Sequence, residues 1–104
     1  MAQNRHVVIF VSRRTADDAD GYAAMAAEMS RLAEAQPGFV SMQSVRGTDG
    51  TGITLCYWES EEAIAAWKDH VDHAAAQQLG MQRWYTAYSV TIAKVTRHYG
   101  TASQ

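Results

Sequence analysis

The first periodic stretch of the chain, His6 to Ser12 (HVVIFVS), alternates with period two yet is apolar on both faces, since Val7, Ile9 and Val11 point one way and Val8 and Phe10 the other. That pattern predicts a strand covered on both sides. Thr15-Ala-Asp-Asp follows and reads as a helix start, with Thr15 as the cap and Asp17 and Asp18 at the positive end of the helix dipole. Tyr22, Met25, Met29, Leu32 and Ala33 then recur at helical spacing, and Pro37-Gly38 stops the helix near Ala35. Phe39 to Arg46 and Ile53 to Trp58 return to strand-like patterning. The glycine-rich stretch Gly47-Thr-Asp-Gly-Thr-Gly52 between them tolerates positive φ and suits a hairpin, so the two strands should pair antiparallel. Ser60-Glu-Glu opens a second helix with Ile64 and Trp67 on its buried face, which continues or kinks through His70 to Leu79 before Gly80. Tyr85 to Tyr99 predicts a long closing strand, with Tyr88, Val90 and Ile92 on one face and Val95, Arg97 and Tyr99 on the other.

The order β-α-β-β-α-β predicts an α+β, ferredoxin-like fold, a four-stranded antiparallel sheet with two helices on one face. At 104 residues the chain is read as one domain, 1–104, with its core over 6–99. Two helices cover only one face of such a sheet, while the first strand is apolar on both. The uncovered face therefore calls for a partner, and a symmetric homodimer supplies one.

Composition removes several function classes. The nine Lys and Arg are scattered and the net charge is -2, so no basic stripe is available for a nucleic-acid backbone. The longest apolar run, Val7 to Val11, falls far short of the roughly 20 residues that span a bilayer, and the start has no signal-peptide order; a cytoplasmic protein without a membrane partner is expected. The single cysteine, Cys56, lies inside the run ITLCYW and is expected to be a buried small hydrophobe. The Gly47 to Gly52 loop precedes no helix, so it is a turn and not a phosphate cradle.

The stretch WKDHVDHAAAQ carries the candidate chemistry. His70 and His73 are three apart on one helical face, a spacing that can share a metal only with a third ligand. Asp69 and Asp72 point to other sides, and the zincin spacing is different, so no metal site is expected. The histidines are then solvated or satisfied side chains, or one of them accepts a proton in a pocket, because imidazole titrates near neutrality. His73, nearer the helix end, is the preferred acceptor. Trp67 is a core side chain, a pocket wall, or both. Tyr57, Tyr85 and Tyr88 are sheet or interface residues or else offer phenolic donors, Arg83 is solvated or supplies an anion-stabilising charge, and Met25 and Met29 are either core or the deformable lining of an apolar pocket.

Taken together, VVIFVSR, QPGF, LCYWES, AIAAWKDHVDHAAAQQLG and RWYTAYSVTIAKVTRHY resemble the antibiotic biosynthesis monooxygenase family of dimeric α/β barrels over about residues 6 to 99. The resemblance implies a ligand pocket between sheet and helices in each subunit, with the two sheets of a homodimer facing each other as a barrel. It also implies oxidation of a small phenolic, quinol-type aromatic molecule by O2 with no flavin, haem or metal, with His73 and Trp67 as catalytic residues and Trp67, His70, Tyr57, Tyr88, Arg83, Met25 and Met29 around the substrate. Haem-degrading members place an iron-ligating histidine about ten residues beyond the helix tryptophan and an asparagine on the first strand. Here those places hold Gln77 and the apolar Val7, Val8 and Ile9, with Asn4 lying earlier. Quinone-forming members carry an asparagine one turn before that tryptophan, where this chain has Ala63. A non-catalytic ligand-binding or sensing protein of the same fold is the alternative.

Overall fold

A computed structural model describes residues 5–15, 19–78 and 85–101, with side chains described for 5–15, 23–70 and 87–101. Strand β1 spans His6–Arg14, helix α1 Ala19–Glu34, β2 Phe39–Arg46, β3 Thr51–Trp58, α2 Glu61–Gln78 and β4 Tyr85–Lys94. The strands form one sheet in the order β2-β3-β1-β4, every neighbouring pair antiparallel. This is the ferredoxin-like arrangement that the hydrophobic pattern predicts.

Register assigns every strand residue to a face. Val8 pairs with both Cys56 and Ile92, and Cys56 also pairs with Met42, so these four positions share one face. Ala33 of α1 and Ile64 of α2 bury against Cys56 and Trp58 there, with Val8, Phe39, Met42, Ala63 and Trp67 packed around them. Both helices therefore cover the same face. The opposite face carries Val7, Ile9 and Val11 in register with Tyr57, Leu55 and Ile53, as the two-sided pattern of β1 requires.

Local chemistry sets the ends of the elements. Ser60 caps α2, its hydroxyl accepting the Ala63 N–H at 3.1 Å. The Thr15 cap expected for α1 involves residues 16–18, which lie outside the described residues, as do Leu79 and Gly80 beyond α2. After α1 the chain reverses through Gly38 at φ 88°, where the Gly38 carbonyl accepts the Glu59 N–H at 2.8 Å.

Two expectations are corrected. Thr51 and Gly52 belong to β3 and not to the loop, because Arg46 pairs with Gly52 and the Gly47 N–H donates to the Thr51 carbonyl at 2.8 Å. The turn is thus shortened to four residues around Gly50 at φ 89°, and Asp49 closes it by accepting the Thr51 N–H at 2.9 Å. That bond holds the Asp49 carboxyl below its ordinary value. The closing strand ends at Lys94, not Tyr99, because its partner β1 begins at His6; one further bond, Val95 N–H to the Arg5 carbonyl at 2.9 Å, finishes the ladder. Val95, Arg97 and Tyr99 therefore form no strand face.

Candidate functional site

Three rings run from the core to the surface beside the seam of sheet and α2. Trp58 is 0% exposed and lies edge-on to Phe39, with ring centroids 5.7 Å apart at 89°. Trp67, partly buried on α2, stacks near it at 6.0 Å and 29°, and exposed His70 lies 6.2 Å from Trp67 at 25°. The i to i+3 spacing brings His70 back over the turn that carries Trp67. Trp67 thus packs on the core and keeps part of its surface open.

On the same side of the sheet, β4 leaves an apolar strip uncovered. Tyr88, Val90 and Ile92 pair with Ser12, Phe10 and Val8 and are 52%, 53% and 47% exposed. Tyr88 lies 5.6 Å from Phe10, ring to ring. The helices are centred on β2 and β3, so this edge of their face offers a large aromatic and aliphatic floor.

The remaining candidates divide by position. Tyr57 is on the opposite face from Trp67, in register with Val7, and its ring meets His98 at 6.1 Å. Neighbours in a strand point to opposite sides, and Trp58 takes the helix side, so Tyr57 lies on the sheet face away from the helices. That parity was available in the sequence. Met25 and Met29 are half-buried on α1. The side chain of His73 lies outside the described residues, as do Arg83 and the side chain of Tyr85. Among the described residues no group of three His, Cys, Asp or Glu converges as a metal site would require.

Ala63, at the place where the quinone-forming pattern carries asparagine, lies in the helix–sheet seam. A Cβ built at Gly38 would approach the Ala63 Cβ to 2.6 Å, so a larger side chain at 63 has no room on that side. Cys56 is buried next to Trp58, and burial pushes its thiol up to about 11. The Trp58 indole opposes this, a smaller effect than burial, and the indole N–H has no hydrogen-bond partner among the described residues.

The sequence profile of the family described as antibiotic biosynthesis monooxygenase matches residues 5–79, most of the chain. The chain belongs to this family. The uncharacterized protein YqjZ of Bacillus subtilis is 46% identical to it over 92 residues, which is 88% of this chain and 80% of that one. Among solved structures, the cofactor-independent oxygenase SnoaB of Streptomyces nogalater superposes with a TM-score of 0.68 at 14% identity, covering 95% of this chain and 98% of that one. The haem-degrader MhuD of Mycobacterium tuberculosis, with two haems bound in its active site, gives a TM-score of 0.68 at 24% identity, covering 91% and 99%. At these identities the two structures share the family's fold with this chain. No described helix is long and apolar enough to cross a membrane.

Proposed function

We propose that this member of the antibiotic biosynthesis monooxygenase family binds a small phenolic, quinol-type aromatic molecule between α2 and the β4 edge of the sheet, and oxidises it with O2. The observation that carries the reading is the Trp58–Trp67–His70 ring series on the helix-covered face of the sheet, the same face on which β4 leaves Tyr88, Val90 and Ile92 exposed. Such a site favours a flat, electron-rich ligand. The substrate is itself the reductant. Its anion passes electrons to O2, one oxygen enters the ring as a new carbonyl, and the other leaves as water with the one hydrogen of the oxidised carbon and the phenolic proton that the protein's acceptor took and returns. The protein's share is to exclude water, orient the ring and accept the phenolic proton. His73 is assigned the proton acceptor, His70 and Tyr88 contact the substrate, and Arg83 steadies developing negative charge. The active unit is assigned as a homodimer.

A second reading, ligand binding without turnover, is favoured by Ala63, which puts a methyl in the packed seam where the oxygenase pattern has an amide. Oxygen uptake with a hydroxylated naphthalene separates the two. The oxygenase reading expects a saturable, protein-dependent rate that falls roughly a hundredfold in His73→Ala, the usual weight of a general base. Saturable binding with no oxygen uptake supports the second reading. Normal turnover in both His70→Ala and His73→Ala removes the acid/base assignment. Haem chemistry would require a donor set that Gln77 does not continue from the haem-degrading pattern. A Soret shift on adding hemin would favour it over both.

A further inference from the structure

The apolar strip of β4 ends in a charge. Register sets two rows side by side on the helix-covered face, Ser12, Phe10, Val8 and His6 of β1 against Tyr88, Val90, Ile92 and Lys94 of β4. The two-residue period of a strand puts all eight positions on the same side of the sheet. Tyr88, Val90 and Ile92 are exposed, and so is Lys94, the last residue of the strand. Along this open edge, three apolar side chains and then a cation follow one another at intervals of about 7 Å.

Nothing on this half of the face neutralises that cation. Neither β1 nor β4 contains an aspartate or a glutamate. Among the described residues Lys94 makes no hydrogen bond and no ion pair. The acids that follow Trp58, whose strand position shares the His6 row, are Glu59, Glu61 and Glu62, and all three are exposed to water. His6, opposite Lys94 on β1, has an interaction of its own, so the charge offered at this end is that of Lys94. A lysine stem is four carbons long and can prolong the floor beyond Ile92 while its ammonium stays at the wet rim.

We propose that this edge selects aromatic acids, the ring lying over Val90 and Ile92 and the carboxylate meeting the Lys94 ammonium. Charge complementarity decides the class: a neutral aromatic gains nothing from Lys94, and a small bare anion gains nothing from Val90 and Ile92. The inference rests on the proposed binding of an aromatic molecule on this face and names the class of that molecule. It requires no turnover and is tested by binding alone.

The probes are 2-naphthoate, its neutral counterpart 2-naphthamide, and acetate, titrated in turn into the full chain at matched ionic strength and followed through the backbone amide NMR signals of Val90, Ile92 and Lys94. 2-Naphthoate is expected to shift these signals saturably with an affinity about fivefold above that of 2-naphthamide, the weight of an ion pair that keeps contact with water. Acetate should leave them in place at the same concentration, and added salt should narrow the gap between the two naphthyl probes. In Lys94→Gln the affinity for 2-naphthoate should fall to that for 2-naphthamide while the latter holds, and Lys94→Arg should keep the preference. Equal binding of the two naphthyl probes, acetate binding as tightly as 2-naphthoate, or a preference that survives Lys94→Gln overturns the inference and leaves an aromatic site standing. If neither naphthyl probe shifts these signals, the aromatic-binding reading itself fails and the inference falls with it.

Discussion

At the scale of single residues, Cys56 shows how burial alone sets chemistry. Its thiol lies in the core next to Trp58, and its pKa is pushed up to about 11 from an ordinary value near 9. Below pH 9 the thiol is neutral whether the chain is folded or not, so it adds no pH dependence. Between about 9 and 11 the unfolded chain releases the proton while the folded one retains it, so stability falls as pH rises; above 11 the loss is complete. The effect should be on the order of 1–2 kcal/mol. Urea denaturation of wild type and Cys56→Ala in reductant, at steps from pH 8 to 11, isolates this contribution from the other groups that titrate there. The wild type should lose ground to the variant across that range, and a constant difference would refute the account. The same thiol should resist alkylation in the folded protein at pH 8, because so little of it is thiolate there.

Among the elements, the junction of α1, β2 and α2 turns on Gly38. It combines φ 88° with a Cβ position 2.6 Å from the Ala63 Cβ, and its carbonyl accepts the Glu59 N–H just before the Ser60 cap. Gly38→Ala should therefore cost about 1–3 kcal/mol through strained backbone alone, with the clash adding to it. Thermal unfolding of Gly38→Ala and of the double variant Gly38→Ala/Ala63→Gly measures the split: relieving the clash should restore part of the loss, and full restoration would remove the backbone term.

This junction also marks how far the sequence can be read. Pro37-Gly38 and Ser60-Glu-Glu announced a stop and a start in local code, but the contact between Gly38 and Ala63 is long-range and left no local mark. The end of β4 was misread for a related reason: the apolar alternation continues past Lys94, whereas strand length is decided by where β1 stops pairing. Gly52 was read with its neighbouring glycines as loop, because nothing nearby in sequence told that the Arg46 guanidinium needs the space above it. Within the site, the helical face legible in the sequence is that of His70 and His73, whereas the stacking of His70 on Trp67 is seen only in the structure. The Tyr88, Val90 and Ile92 face of β4 is legible as well; that it is left exposed is seen only with the helices placed over β2 and β3.

For the whole molecule, the question is what covers the sheet face away from the helices. Val7, Ile9, Val11, Ile53 and Leu55 line it in register, and Val45 at its edge is 68% exposed. A face this apolar in a monomer would be an association hazard, since large exposed patches mark interaction surfaces. The Tyr57–His98 contact brings the segment after β4 against one end of that face, leaving Ile53 and Val45 at the other. A second copy of the chain, sheet against sheet, would bury the remainder with self-complementary chemistry, because a two-fold axis would set the same apolar rows against each other. Sedimentation equilibrium at micromolar concentration should then give twice the mass of the chain. Ile53→Lys, at a position already exposed in the single chain, should give the mass of one chain with α-helical and β-sheet circular dichroism retained, because a buried unpaired ammonium penalises the interface and not the monomer. A wild type that sediments as a single chain would refute the sheet-to-sheet dimer. An Ile53→Lys variant that remains dimeric would instead move the interface off this face, leaving the apolar rows of β1 and β3 without the partner that explains them.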